Sequence, residues 1–170
     1  MYVVDGYNLL HALKKRPDGL PSDFGRARAR MCELLSGLAR VETQVVRMFF
    51  DGTHGELSPG DLAFPRVRVT FCGPGVGAAD RAVREFVENS REPGKLRVIS
   101  SDIEVVQACK LAGAKVISSQ DMAARLGGAR RDAPAGGAEK PIRGMVGKLE
   151  QEMLDEIGDF DEFERRILGE

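Results

Sequence analysis

Short apolar runs alternate with longer amphipathic segments over the first 126 residues of the chain. The apolar runs have the length and the flanking turn residues of strands, whereas the amphipathic segments repeat apolar positions every three or four residues, as helices do. Strands that alternate with helices predict a three-layer α/β/α sandwich around a mainly parallel sheet. The runs that predict its approximately five strands lie at 3–5, 45–50, 66–72, 96–99 and 115–117.

The first apolar run stops at Asp5 and is followed by Gly6 and Asn8. This pattern predicts a buried strand that ends in a carboxylate, with a tight turn after it. The second run ends in the same way, at Asp51. The segment 66–72 alternates polar and apolar positions instead, which predicts a strand near the edge of the sheet.

Four acidic residues fall where a parallel sheet could bring them together. Asp5, Asp51 and Asp102 follow predicted strands, and Asp80 opens a predicted helix after a glycine-rich turn. Because ligands of open α/β sheets bind beyond the carboxyl ends of the strands, we expect one shared crevice. Grouped carboxylates repel one another unless a cation neutralises them, and Mg²⁺ or Mn²⁺ prefers such oxygen ligands. Such a metal can activate water for attack on a phosphodiester, and Asn8 is close enough in sequence to assist.

Each of these acids has a simpler explanation when it is taken singly. Aspartate at a strand end is as typical of a turn or a helix N-cap as of a metal site. Asp80 also suits the first turn of any helix, where the helix dipole favours an acid. It is the repetition of the pattern that favours a functional cluster.

Composition restricts the class of protein. Of the 170 residues, 42% are hydrophobic and 30% are charged, which is typical of a globular domain with an extension. No apolar run is long enough to span a membrane, and no signal peptide is recognisable. The three cysteines have no metal-ligand spacing, so we expect free thiols in a reducing cytoplasm and no membrane association.

The last quarter of the chain differs from the rest. Residues 127–144 are rich in Gly, Ala and Pro without periodicity, which predicts a flexible linker or loop. Residues 145–170 repeat apolar positions at helical spacing and predict an amphipathic helix that packs on the domain or forms a homodimer. Residues 149–170 carry a net charge of −7 and the preceding 148 residues a net charge of +6. A basic body with an acidic tail is compatible with a polyanionic ligand.

Several segments together resemble a known family. Val3–Leu10 (VVDGYNLL) resembles the opening motif of NYN domains, a branch of the PIN-like nucleases. Phe49–Gly52 (FFDG), Ala79–Val83 (ADRAV) and Ser100–Asp102 (SSD) resemble, in this order, motifs of the YacP-like ribonucleases. Gly113–Ser119 (GAKVISS) is similar to the last strand of that family and the start of its next helix.

This resemblance implies a PIN-like fold for residues 1–126 and RNA cleavage that depends on Mg²⁺ or Mn²⁺. It implies that Asp5, Asp80 and Asp102 bind the metal and that Asn8 supports them, so these four form the expected catalytic set. Asp51 matches a family position at the rim of the site and is expected as a further metal ligand.

The segment before Asp80 departs from the family pattern. Many relatives have Glu-Thr-Ala-Asp there, whereas this chain has Gly77-Ala78-Ala79-Asp80 and lacks a polar pair that could orient a metal-bound water. The alternative function is therefore a non-catalytic or weakly active RNA-binding module of the same fold.

RNA, either free or held in a ribonucleoprotein, is the expected partner. The expected substrate-binding residues are Tyr7, which could stack on a base, Arg81 and Arg84 on the Asp80 helix, and Ser101. Further cations that could contact phosphates are Lys14, Lys15, Arg16, Arg125, Arg130 and Arg131.

Overall fold

The computed structural model describes residues 1–16, 19–52 and 63–128 of the chain. Within these ranges a five-stranded parallel sheet lies between two layers of helices, which confirms the predicted α/β/α architecture. The strands are β1 (Tyr2–Asp5), β2 (Val46–Phe50), β3 (Val67–Phe71), β4 (Arg97–Ile99) and β5 (Lys115–Ile117). The α-helices are α1 (Gly6–Lys14), α2 (Phe24–Val41), α3 (Ala78–Glu88), α4 (Ile103–Leu111) and α5 (Ser119–Gly128), with a short 3-10 helix at Pro93–Lys95.

The first strand lies at the centre of the sheet, whose order is β3-β2-β1-β4-β5. β1 pairs in parallel with β2 on one side and with β4 on the other. From β1 the chain adds β2 and β3 on one side of the sheet and then β4 and β5 on the other side, so the direction of the strand order switches between β1 and β4. Ligand crevices of parallel α/β sheets form at such a switch, beyond the carboxyl ends of the strands. β3 is an edge strand, as its alternating sequence predicts.

The two faces of the sheet carry separate apolar cores. Val4 on β1 points into the core formed with α1, α2 and α5, whereas Val3 points into the core formed with α3 and α4. Both valines are fully buried. Because successive side chains of a strand point to opposite faces, the apolar run of β1 serves both cores and fixes the strand in the middle layer.

The junction between β1 and α1 differs from the prediction. A tight turn was expected after Asp5, but α1 begins directly at Gly6, with Asp5 as its N-cap. The backbone has room for this only because position 6 has no side chain. A Cβ atom there would lie 2.5 Å from a ring carbon of Phe50 and 2.8 Å from the carbonyl oxygen of Phe49.

The end of the described region also differs slightly from the prediction. α5 continues to Gly128 and so includes the first two residues of the predicted linker. The rest of the predicted linker and the predicted helix at 145–170 lie outside the described residues. No helix in the described part of the chain is long and apolar enough to cross a membrane. The cysteines are free thiols, as predicted, and burial raises the pKa of Cys32 to about 12.

Candidate active site

Asp5 occupies the carboxyl end of the central strand and is only 5% exposed. Its Oδ1 accepts a hydrogen bond from the backbone N–H of Asn8 at 3.2 Å, and its Oδ2 accepts one from the Ser100 hydroxyl at 2.9 Å. Burial raises the pKa of Asp5 to about 6, and the negative charges of Asp80 and Asp51 raise it further, against the opposing effect of these two hydrogen bonds. The site therefore concentrates negative charge around a buried carboxyl.

Asp80 connects the acids to one another. It is the third residue of α3, which begins directly after Gly77. Gly77 has a φ of 74° and ends the glycine-rich turn. Burial raises the pKa of Asp80, and so do the charges of Asp102 and Asp51. The nearby charge of Arg84 and a side-chain hydrogen bond with Asp5 act in the opposite direction. The four predicted acids thus form one electrostatic cluster.

Asp51 and Asp102 also have the structural role that was weighed against a functional one. Gly77 has no side chain with which to cap α3, and Oδ1 of Asp51 instead accepts a hydrogen bond from the Ala79 N–H at 2.7 Å. Oδ1 of Asp102 caps α4 by accepting from the N–H groups of Glu104 at 2.9 Å and Val105 at 3.0 Å. Each cap uses one carboxylate oxygen, so capping leaves the second oxygen of each acid available.

The donor set fits a hard divalent cation that keeps part of its water shell. Among the residues that the structure describes, no three Asp, Glu, His or Cys side chains are arranged to hold a metal by themselves. Mg²⁺, however, is commonly held by one or two carboxylates together with waters and substrate phosphates. Asp5 and Asp80, which are coupled in charge to each other and to Asp51 and Asp102, match this pattern. Grouped carboxylates repel one another, and a bound cation relieves that repulsion.

Asn8 is held in a fixed orientation by two donors. Its Oδ1 accepts from the backbone N–H of Ser101 at 3.0 Å and from the hydroxyl of Ser119 at 2.7 Å. A backbone N–H can only donate, so the atom that it faces must be the amide oxygen of Asn8. The amide nitrogen is therefore the end of Asn8 that can act on a ligand, and it can only donate.

Sequence reasoning missed two serines that position this site. Ser100 and Ser119 are both fully buried, and they donate to Asp5 and Asn8 respectively. Their signal in the sequence is a pair of consecutive serines after each of the last two strands, at 100–101 and 118–119.

The predicted substrate-binding residues lie around the acids. Tyr7 is half-buried, with the edge of its ring against Phe50 at a centroid distance of 5.0 Å. Arg81 is exposed beside Asp80, and Arg84 is half-buried one turn further along α3. The hydroxyl of Ser101 already has two hydrogen-bond partners within the protein. It accepts from the Ser119 N–H at 2.9 Å and donates to Gln120 Oε1 at 2.5 Å.

One predicted RNA contact lies at the opposite end of the sheet. Arg125 bonds the hydroxyl of Tyr2 at 3.3 Å and pairs with Glu42. Tyr2 begins β1 whereas Asp5 ends it, so Arg125 is not a contact of this crevice. Arg130 and Arg131 lie outside the described residues.

Comparison with known proteins identifies the family of the chain and bears on its fold. The model of the YacP-like NYN domain matches residues 2–159. The chain belongs to this family. Among solved structures it is similar to a single-residue variant of Rae1 (YacP) from Bacillus subtilis, with 19% sequence identity and a TM-score of 0.59, over 92% of this chain and 85% of that one. A second Rae1 (YacP) structure gives 16% identity and a TM-score of 0.58, over 92% and 82% of the two chains.

Membership in the YacP-like NYN family confirms the resemblance that the sequence motifs carry. It indicates a nuclease-type domain, and the structural similarity confirms the fold. A search among curated proteins finds no match. The roles of the individual site residues are therefore inferred from the geometry of the site and not from a curated relative.

Proposed function

We propose that the chain is a divalent-metal-dependent endoribonuclease that hydrolyses phosphodiester bonds of RNA. The observation that carries this proposal is the gathering of four acids at the carboxyl end of the sheet, where the buried carboxyl of Asp5 is coupled in charge to Asp80 and Asp51 and Asp80 is coupled to Asp102. A carboxyl buried among other acids is unfavourable for folding, and such perturbed groups are typical of functional sites. The family match supports the same conclusion independently.

Asp5 and Asp80 would hold Mg²⁺ or Mn²⁺, and Asp102 and Asp51 would contribute the oxygen that their capping bonds leave available. When bound, the metal supplies an activated water and stabilises negative charge on the phosphate. The raised pKa of Asp5 means that metal binding displaces a proton near neutral pH. Cleavage should therefore increase as the pH rises through about 6.

Asn8 would donate its amide N–H to a phosphate oxygen of the substrate. Its own oxygen is occupied by Ser101 and Ser119, so the donor geometry is set before RNA binds. Preorganised donors of this kind stabilise a transition state without reorganisation. In this proposal Asn8 is a substrate-contacting residue rather than a metal ligand.

The alternative is a non-catalytic RNA-binding module of the same fold. Two observations favour it: Gly77-Ala78 provides no polar side chain to orient a metal-bound water, and no three-ligand metal site occurs among the described residues. Location in the cytoplasm, association with a ribonucleoprotein and a homodimer through residues 145–170 stay predictions.

The two functions differ in an RNA cleavage assay. Purified protein is incubated with a panel of end-labelled cellular RNAs in Mg²⁺, in Mn²⁺ and in EDTA. The nuclease should cut in either metal, stop in EDTA, and lose activity in Asp5→Asn and Asp102→Asn. The matched control is Asp121→Asn, which removes the same charge from an exposed first-turn acid that bonds only Ser118 among described residues.

Three outcomes separate the possibilities. Cleavage lost in the two site variants but kept in Asp121→Asn establishes the nuclease. Equal cleavage by all variants identifies a contaminating enzyme and contradicts the proposal. RNA retention without cleavage in every metal, unchanged or improved in the Asp variants, identifies the binding module.

A further inference from the structure

Arg28 lies at the carboxyl end of the sheet although no sequence motif includes it. It occupies the second turn of α2, and its guanidinium carbon is 5.6 Å from the ring centre of Phe71 and 6.0 Å from that of Phe50. These two residues end β3 and β2 respectively. The guanidinium therefore lies at the same end of the sheet as the four acids.

The rings beneath Arg28 form a continuous surface, which we call the aromatic platform (Tyr7, Phe50 and Phe71). Phe50 and Phe71 stack with their centroids 5.5 Å apart and their planes 21° apart, and Tyr7 contacts Phe50 edge-on. An arginine that lies over aromatic rings is stabilised by cation–π attraction and retains its planar hydrogen-bonding edge. The platform thus holds the guanidinium in place before any ligand binds.

The aromatic platform is directly connected to the acidic cluster. Phe50 is followed in the chain by Asp51, and its ring packs against the backbone of Gly6, the residue after Asp5. One aromatic ring therefore separates Arg28 from the start of α1. An RNA strand whose cleaved phosphate lies at Asp5 could place a neighbouring phosphate at Arg28.

Among the residues that the structure describes, Arg28 lacks the acidic partner that a half-buried arginine ordinarily has. Arg30 on the same helix pairs with Glu33, whereas Arg28 has no carboxylate partner among the described residues. Its Nε atom is buried without a hydrogen bond. An unpaired polar group of this kind is unfavourable by about 1–3 kcal/mol. An arginine without a carboxylate partner is retained more readily where an external anion binds its guanidinium, and guanidinium is well matched to phosphate.

We propose that Arg28, held on the aromatic platform, binds a backbone phosphate of single-stranded RNA whose adjoining segment lies at the acidic cluster. The inference rests on the proposed function for its ligand class, since it takes the polyanion at the acidic cluster to be RNA. It assigns α2, which none of the family motifs includes, to the RNA-binding surface.

The test measures binding without cleavage. A fluorescein-labelled oligouridylate is titrated with the full chain in EDTA, and the Kd is followed by fluorescence anisotropy for wild type, Arg28→Gln, Arg28→Lys and Arg40→Gln. Arg40→Gln is the matched control, because Arg40 is exposed in the last turn of the same helix. Arg28→Gln should weaken binding about tenfold, the effect of one hydrogen-bonded charge. Arg28→Lys should recover part of the loss, and Arg40→Gln should bind like wild type.

Salt dependence provides a second readout that a structural role would not change. Each phosphate contact to single-stranded nucleic acid contributes about 0.7 to the slope of log Kd against log salt. Arg28→Gln should lower that slope by about 0.7 relative to Arg40→Gln. Thermal unfolding of each variant identifies any loss of binding that comes from misfolding, and the charge-preserving Arg28→Lys remains informative if Arg28→Gln is unstable.

The outcomes distinguish this inference from the proposed function. If wild type cuts RNA but Arg28→Gln has the same Kd and the same salt slope as Arg40→Gln, the inference is wrong and the proposed nuclease function stands. If the protein cuts no RNA but its RNA binding depends on Arg28, the inference is supported and the proposed nuclease function is excluded. Wild type that binds no RNA overturns the inference outright.

Discussion

The two ends of β1 differ in the charges that surround their buried polar groups. At the amino end, the Tyr2 hydroxyl bonds Glu42 Oε2 at 2.5 Å, and Arg97 and Arg125 surround the same carboxylate. At the carboxyl end, only three residues away, Asp5 is surrounded by other acids. One end of the strand is compensated in charge and the other is not. Under the proposed function, this difference reflects a carboxyl end arranged for a ligand at the expense of stability.

The chain terminus follows the pattern of the compensated end. The amino group of Met1 donates to Gln44 Oε1 at 2.7 Å and to the Lys95 carbonyl at 3.3 Å. Burial lowers its pKa to about 6, with Arg97 as a smaller cause. Like Asp5, this group has two hydrogen bonds and a like-charged neighbour, but the charge of Arg97 is itself paired with Glu42, whereas the charged neighbours of Asp5 are the acids Asp80 and Asp51.

The largest expected effect tests whether the uncompensated end carries the function. Asp80→Asn should lower the initial rate of RNA cleavage roughly a thousandfold, because Asp80 interacts with all three other acids and the proposed metal contributes several kcal/mol. Glu42→Gln, at the compensated end, should cut RNA at the wild-type rate. An Asp80→Asn variant that keeps more than a tenth of the activity would exclude the metal site.

The second prediction concerns stability at the same end. The carboxyl of Asp5 titrates near 3.8 in the unfolded chain and at about 6 in the folded protein. Between these values the folded state retains a proton that the unfolded state has lost, so this group makes the protein less stable as the pH rises from about 4 to 6. The loss reaches at most about 3 kcal/mol above pH 6. Asp5→Asn should therefore raise the unfolding free energy at neutral pH and have little effect near pH 4.

Urea unfolding in metal-free buffer at several pH values measures this effect. The matched control is Asp23→Asn, since Asp23 is also an N-cap aspartate but is exposed at the start of α2. It should change the unfolding free energy by less than about 0.5 kcal/mol, since Asn caps helices as well as Asp does. Greater stability of wild type than of Asp5→Asn at pH 7 would mean that the buried carboxyl is compensated after all.

The third prediction tests the compensated end directly. Glu42→Gln should lower the unfolding free energy by about 1–2 kcal/mol, mostly through the Tyr2 hydrogen bond, since Arg97 and Arg125 are partly exposed. Glu33→Gln, which breaks only the Arg30 pair on the surface, should cost less than about 0.5 kcal/mol. Thermal and urea unfolding compare the two. Equal losses would show that the amino end is an ordinary surface network.

The smallest effect concerns the orientation of Asn8. Ser119→Ala removes one of the two donors to Asn8 Oδ1 and should lower kcat for RNA cleavage about fivefold, the equivalent of about 1 kcal/mol. Ser118→Ala is the control, because the Ser118 hydroxyl bonds Asp121 instead. It should reduce stability and leave kcat unchanged. A kcat that falls equally in both variants would indicate a general loosening of α5.

Much of the fold could be predicted because its signals are local. The five strands and the helices after them follow from short apolar runs and capping residues, and the edge position of β3 follows from its alternation. The turn expected after Asp5 was wrong, since local sequence does not show that Phe50 packs on Gly6. That contact joins residues 44 positions apart.

The site was only partly predictable for the same reason. Asp5, Asp51, Asp80 and Asp102 could be proposed from their places at the ends of elements. The roles of Ser100, Ser119 and Arg28 depend on which strands are neighbours and on how α2 crosses the sheet, which single-sequence patterns do not encode. Likewise, the local pattern around Arg125 gives no sign that Tyr2 and Glu42 hold it at the far end of the molecule.

The missing side chain at position 6 gives a way to change distance in the site without changing charge. Any larger residue would press on the Phe50 ring and the Phe49 carbonyl and would force β1 and β2 apart at their carboxyl ends. Asp5 would then move away from Asp51 while every ionisable group remained in place. Gly6→Ala therefore changes the spacing of the acids while their number stays the same, which no aspartate substitution does.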